Sequence, residues 1–383
     1  MPSLDIKAIA RGVRGINMEK GGAPTGNPRR EKRMEIKEPF FSVIIPTTGG
    51  RLKNLELVLT SLSVQHFPRQ LFEVIVVNDG GEKEAGKLVR DFEGKFSGLL
   101  YVRTEKFEPL SFDQELKDIR VRPILDIWAD GQTHGGYKEV PNIQPRNIGH
   151  LISLGGFLVF ADSDIILAPD ALSLYFQDMV ENPHRVVLGV YNWLYPMHVE
   201  PEDIITRFDD VVSERLAKKL LTEVEPRDPK TGNVVQTHNI CKDYRARDFE
   251  ANKPGDVFTQ PGHVNHALSC FSGNICWPRD IFEDVGGYTP YLHAGAHEDG
   301  YSGIDIYKRG HGISFDGRII GAHLYHHRNI EWVENLKWKR GEIMWLNEQH
   351  ADCPEMTDVI EMTRQEMERL GVADWKEKGK LGW

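Results

Sequence analysis

Asp162 and Asp164 stand two residues apart, with Ser163 between them, at the end of the apolar run Phe157-Leu158-Val159-Phe160-Ala161, where a buried strand opens into a loop. Residues two apart in extended backbone face the same side, so both carboxylates can serve one divalent cation, directly or through water. A cation held there can hold a diphosphate in turn. Asp-x-Asp is also a common turn sequence, and a short motif carries little weight alone. A second acidic pair, Glu298-Asp299, opens a predicted helix that runs to about Arg309. Carboxylates at a helix start are also simply favourable electrostatics, because the unpaired N–H groups there are partly positive.

The segments that must position these groups alternate in type. Phe41 to Pro46 is a β-branched run ending in Pro, followed by a Thr/Gly turn and then by Leu55, Val58, Leu59 and Leu62 at helical spacing. Phe72 to Val77 repeats the strand signal and ends in the turn Asn78-Asp79-Gly80-Gly81. A polar helix from about Glu82 to Phe92 leads to a third strand, Leu99 to Arg103. Short apolar strands alternating with helices predict an α/β fold with a mostly parallel central sheet covered by helices. Ligands of such sheets gather at the carboxyl ends of the strands. Pro46-Thr47-Thr48, Asn78-Asp79 and Asp162-Ser163-Asp164 all sit at such ends, so three polar clusters are expected to converge on one crevice.

The chain has 383 residues, 40% of them hydrophobic, enough for a large core. Its formal charge of −10 argues against general nucleic-acid binding. There is no apolar run of membrane-spanning length and no signal-peptide hydrophobic region at the N-terminus, so a soluble, cytoplasmic protein without a transmembrane segment is expected. Cys241, Cys270, Cys276 and Cys353 lack CxxC spacing and read as reduced, structural thiols. Residues 1–38 are rich in Gly, Arg and Lys and read as a flexible arm. Residues 104–141 and about 195–265 are long, punctuated by Pro and Gly, and read as insertions near the site. A C-terminal helix is expected from Asp352 to Gly371.

Taken in order, Phe41-Ser42-Val43-Ile44-Ile45-Pro46-Thr47, Glu73-Val74-Ile75-Val76-Val77-Asn78-Asp79-Gly80, Pro145-Arg146-Asn147-Ile148-Gly149 and Asp162-Ser163-Asp164 resemble the nucleotide-sugar half of family-2 glycosyltransferases with the GT-A fold. Ser272-Gly273-Asn274, Gly286-Gly287-Tyr288 and His297-Glu298-Asp299, followed by Tyr307-Lys308-Arg309-Gly310, resemble the acceptor half found in chondroitin-type polymerases and in galactosyl- and N-acetylgalactosaminyltransferases. The resemblance implies four regions: an arm (1–38), a nucleotide-sugar half (39–195), an acceptor half with an insertion (196–330) and a C-terminal helical extension (331–383).

It also implies roles. Pro46, Thr47, Asp79 and Arg146 would contact the donor nucleotide, with Asp79 accepting from an imino N–H such as that of uracil. Asp164 would ligate Mn2+ or Mg2+ directly, and Asp162 would reach the ribose or the metal through water. A divalent cation suits the reaction because a nucleoside diphosphate leaves with growing negative charge. His323, after the run Phe315 to Ala322, matches the place of a third protein ligand, with His326 and His327 as close alternatives. Asp299 is expected to be the general base of an inverting transfer and Glu298 its partner toward acceptor hydroxyls, the reverse assignment remaining open. Where the family usually has Gly-Gly before this pair, the chain has Ala296-His297. A Gln-x-x-Arg-Trp motif and membrane helices, common in processive members, are absent from the sequence.

The expected function is therefore transfer of a sugar from a nucleotide-sugar, a UDP-sugar above all, to a glycan, lipid-linked or small-molecule hydroxyl. Two rivals differ in class. A sugar-1-phosphate nucleotidyltransferase shares the sheet and the carboxylates, but Thr47-Thr48-Gly49-Gly50-Arg51 is only a faint echo of its Gly-rich signature. A non-catalytic nucleotide- or carbohydrate-binding protein would not need the intact Asp162/Asp164 and Glu298/Asp299 pairs.

Overall fold

β-Branched and aromatic residues fill the central strands, and burial on both faces explains why these runs are continuous rather than alternating. The structure is a computed structural model that describes residues 39–48, 51–79, 84–103, 143–193, 199–212, 270–288 and 298–324, with Asp352, Glu361 and Gln365 beyond them. The expected arm, the insertion 104–141, most of 195–265, nearly all of the C-terminal extension, and His326 and His327 lie outside the described residues. Among the described residues no helix is long and apolar enough to cross a membrane.

β1 (Phe41–Thr47), β2 (Phe72–Asn78) and β4 (Phe157–Ala161) are buried along their whole length, and β3 (Leu99–Arg103) forms a less buried edge. With β5 (Ile165–Leu167), β6 (Arg185–Trp193), β7 (Asn274–Pro278) and β8 (Gly312–His323) they make one eight-stranded sheet in the order β3-β2-β1-β4-β7-β6-β8-β5. The helices are α1 (Leu52–Ser63), α2 (Glu84–Arg90), α3 (Ile143–Ile152), α4 (Ala171–Glu181), α5 (Pro201–Thr206), α6 (Phe208–Val212), α7 (Arg279–Asp284) and α8 (Glu298–Lys308). Leu55, Val58, Leu59 and Leu62 of α1 are all buried, as their spacing predicts.

The α/β class expected from the sequence is what the chain adopts. Strands β1 to β4 pair only in parallel with one another, and β6 pairs in parallel with β8. The second half is more mixed, because β7 runs antiparallel to β4 and β6, and β5 antiparallel to β8. β7 comes after a long insertion instead of a short βαβ crossover, so nothing in its connection imposes parallel pairing.

One irregularity in this half governs the site. Gly189 pairs with Asp316, but the next pair is Val190 with Ile320, so β8 carries three extra residues against β6. An odd insertion reverses which side chains face which side from that point on. Fully buried Asn274 holds the break together: its Nδ2 donates to Val190 O at 2.8 Å and Ile319 O at 3.2 Å, while Tyr175 Oη donates to its Oδ1 at 2.8 Å. Gly321 leaves room for this amide, since a Cβ there would lie 2.8 Å from Asn274 Nδ2.

The opposite end of the sheet is tied by side chains replacing backbone partners. Glu73 Oε1 accepts from Ser42 Oγ and Leu154 N, each at 2.6 Å, and Ser42 Oγ accepts from Gly155 N at 2.8 Å. Arg279 donates to Gly155 O at 2.8 Å and to Ser153 O at 3.1 Å, so its buried charge satisfies carbonyls that lie just past α3.

Beside the bulge, Arg318 forks Asp316 through Nε and Nη2, with Nη2 2.6 Å from Oδ2 and 3.6 Å from Asp178 Oδ1. Burial, and after it the charge of Asp316, pushes the Asp178 carboxyl up to about 7. A carboxyl raised in the folded state binds its proton more tightly than in the unfolded chain, so its contribution to stability is full below its unfolded value and is lost as pH rises through about 7. Asp178→Asn keeps the shape and supplies a permanent donor. It should flatten the fall in melting temperature between about pH 5 and pH 8 and leave the variant the more stable protein at the alkaline end. Melting curves with the parent's slope would remove Asp178 as the source.

Candidate active site

Adjacent strands β2, β1 and β4 bring their carboxyl ends together, and short backbone bonds close the rim. Thr47 pairs with Asn78, and Asp79 N donates to Thr47 O at 2.7 Å. Beyond β4, Ile165 N donates to Asp162 O at 3.0 Å, and Asp162 N to Gly273 O at 3.3 Å. Pro46, Thr47, Asp79 and Asp162 therefore share one edge of the sheet. Asn78 is directed elsewhere, its amide donating to Tyr101 Oη at 2.8 Å.

Arg146 reaches this edge from α3. Its guanidinium is buried, donates through Nη2 to Asp162 Oδ1, and lies 5.7 Å from the centre of the Tyr288 ring. Arg146 is not a solvated charge at a helix start, because the helix begins before it and its side chain is buried. The neighbouring Asn147, fully buried, clasps Tyr288 like a backbone strand: Nδ2 donates to Tyr288 O at 2.8 Å, and Tyr288 N donates to Oδ1 at 3.1 Å. Gly286 and Gly287 have φ of 87° and 76°, a turn suited to glycine, and a Cβ on Gly287 would stand 2.8 Å from Asn147 Oδ1. Two motifs far apart in sequence, Pro145-Arg146-Asn147 and Gly286-Gly287-Tyr288, thus form one interlocked unit that steadies Arg146.

Asp164 is nearly enclosed. Its Oδ2 accepts from Arg51 Nη1 at 2.7 Å, and its Oδ1 lies 3.5 Å from His323 Nε2. The register Ile165 to His323 and the bond from Leu324 N to Asp164 O at 2.7 Å set this meeting. A carboxylate oxygen and an imidazole nitrogen at that separation fit two ligands of one cation at about 2.0–2.2 Å from each. An oxygen-plus-nitrogen set suits a transition metal such as Mn2+ better than Mg2+. Among the described residues no group of three or more His, Cys, Asp or Glu side chains gathers as a metal cage, so Asp164 and His323 would be part of a ligand set.

Arg51 was not foreseen as a site residue. A lone arginine a few residues beyond a strand belongs to no motif, so the sequence does not mark it. Glu298 and Asp299 are the first residues of α8, and their side chains lie outside the described residues. α8 packs against β8, the strand that ends at His323, through a helix whose Ser302, Ile304 and Ile306 are buried. Asp305 on that helix is raised to about 6, mainly by burial.

Residues 42–108 match the family described as Glycosyl transferase family 2. A hyaluronan synthase of Pasteurella multocida is 24% identical over 306 residues, covering 78% of this chain and 26% of that protein. The chain therefore spans about a quarter of the length of this curated relative. Among solved structures, S. aureus TarS aligns with a TM-score of 0.46 at 15% identity, covering 80% of this chain and 39% of that one. The mannosyltransferase PcManGT from Pyrobaculum calidifontis, in complex with GDP-Man and Mn2+, aligns with a TM-score of 0.45 at 12% identity, covering 94% and 76% of the two chains. The sheet places the protein in the α/β class. Over residues 42–108 the chain is similar to family-2 glycosyltransferases, the family that the sequence motifs resemble.

If the Asn147 clasp steadies the rim, Asn147→Ala should cost about 2–4 kcal/mol, because it leaves the Tyr288 N–H and C=O buried without their partner. Urea unfolding measures it directly. A loss under about 0.5 kcal/mol, the scale of an ordinary surface change, would deny the clasp a stabilising role.

Proposed function

We propose that the protein is a metal-dependent, inverting glycosyltransferase that moves a sugar from a UDP-sugar to an acceptor hydroxyl. The observation that carries this reading is the meeting of Asp164 and His323 at the same rim as Thr47, Asp79, Arg146 and Asp162. Asp79 would accept the imino N–H of uracil, and Thr47 would border the base. Arg146, held by Asp162 and Tyr288, would present a fixed positive charge beside the nucleotide. Asp164 and His323 would hold Mn2+ or Mg2+, with Asp162 acting on the ribose or through water. The bound cation would stabilise the charge of the leaving diphosphate. Asp299, at the start of α8, would take the proton of the attacking hydroxyl, with Glu298 orienting the acceptor. The family match and the hyaluronan synthase relative support a glycan as the acceptor class.

Incubation with UDP-sugars and Mn2+ should release nucleoside diphosphate; release of pyrophosphate would instead favour nucleotidyl transfer. Asp164→Ala should weaken UDP binding in Mn2+ and abolish most of the difference that EDTA makes, and equal affinities by calorimetry would exclude Asp164 as a ligand. Asp299→Asn should leave UDP affinity nearly unchanged while lowering turnover by about a hundredfold or more. Unimpaired transfer by that variant would pass the role of base to Glu298.

A further inference from the structure

Each carboxylate of the Asp162/Asp164 pair holds one arginine, and the two arginines differ in freedom. Arg146 is buried, and the Tyr288 ring and Asp162 both contact it, so it is part of the wall. Arg51 has a side chain 42% exposed, while the Asp164 carboxylate it meets is only 6% exposed. Its main chain is fixed, because Arg51 O accepts from Leu55 N at 3.0 Å in the first turn of α1. Only the side chain need move. The next cation along the helix, Lys53, is engaged by Glu200 at 2.6 Å and Glu56 at 3.3 Å.

Burying the charge of Asp164 requires a compensating cation. The Arg51 guanidinium supplies it on Oδ2, while His323 stands on the Oδ1 side. A divalent cation held by Asp164 and His323 would lie within a few ångströms of that guanidinium and repel it. Arg51 would then be displaced toward the carboxyl rim, where a diphosphate bound to the same cation would lie. The first turn of α1 contains no acidic residue that would compete for it.

Resting on the proposed donor site, we propose that Arg51 is an exchangeable counter-cation: it neutralises Asp164 while no divalent cation is bound, and passes to the donor diphosphate when a cation takes Asp164. The arginine thus weakens binding of the bare cation and strengthens binding of nucleotide and cation together. Free Mn2+ would be held poorly, and a diphosphate would complete the exchange.

Two titrations of the full chain test this, one with Mn2+ alone followed by the Mn2+ electron paramagnetic resonance signal, the other with UDP at saturating Mn2+ followed by calorimetry. Arg51→Met, which keeps length and removes charge, should bind Mn2+ alone about tenfold more tightly and UDP about tenfold more weakly. Arg51→Lys should return both values toward the parent, and melting curves establish that both variants are folded. Affinities that fall together, or that do not move in the folded variant, would overturn the exchange. A parent that binds UDP equally with Mn2+ and with EDTA would sink the donor-site reading itself and the exchange with it. Normal metal-dependent UDP binding in the parent, combined with unchanged affinities in Arg51→Met, would remove the exchange alone.

Discussion

A buried negative charge has to be neutralised, and the Asp164 carboxylate places that demand at the carboxyl rim of this sheet. It sits where β4 gives way to β5, with Arg51 on one oxygen and His323 facing the other. Taking a carboxylate out of water without a partner costs several kcal/mol, so the surrounding elements have to deliver cationic or metal-bound partners to this point. α1 delivers Arg51, β8 delivers His323, and the same logic brings Arg146 from α3 to Asp162. The site is therefore an electrostatic junction of elements remote in sequence.

Much of the polar chemistry in this chain is spent on holding that junction in shape. Asn274 bridges the break in the β6–β8 ladder, Asn147 clasps the turn at Tyr288, and Arg279 gathers the carbonyls beyond α3. Each is buried, and each satisfies backbone groups that irregular structure would leave unpaired. Motif residues that resemble an acceptor half thus include some whose visible partners are backbone atoms.

The two halves of the sheet divide the work differently. Parallel strands β1, β2 and β4 end together and form a rim whose composition is set by the loop residues immediately beyond each strand. The mixed half contributes through register. Three extra residues in β8 reverse its alternation beyond Asp316, and that phase leaves His323 paired with Ile165, next to Asp164. An even offset would have turned the imidazole to the other face, a consequence of the two-residue period of a strand.

The α/β class, the apolar strands, the spacing of α1 and the positions of Thr47, Asp79 and Asp162/Asp164 at strand ends were legible in the residue pattern, because periodicity and turn residues act locally. His323 was legible only through family resemblance. Nothing local in Phe315 to His323 announces a bulge of three residues or its bridging by Asn274. Arg146 could be named from its motif, yet its burial depended on the Tyr288 ring brought in from a distant turn. Arg51 escaped notice because a lone arginine after a strand has no pattern of its own. Its part became visible only when tertiary structure set it against a carboxylate 113 residues away, where desolvation makes the pairing matter.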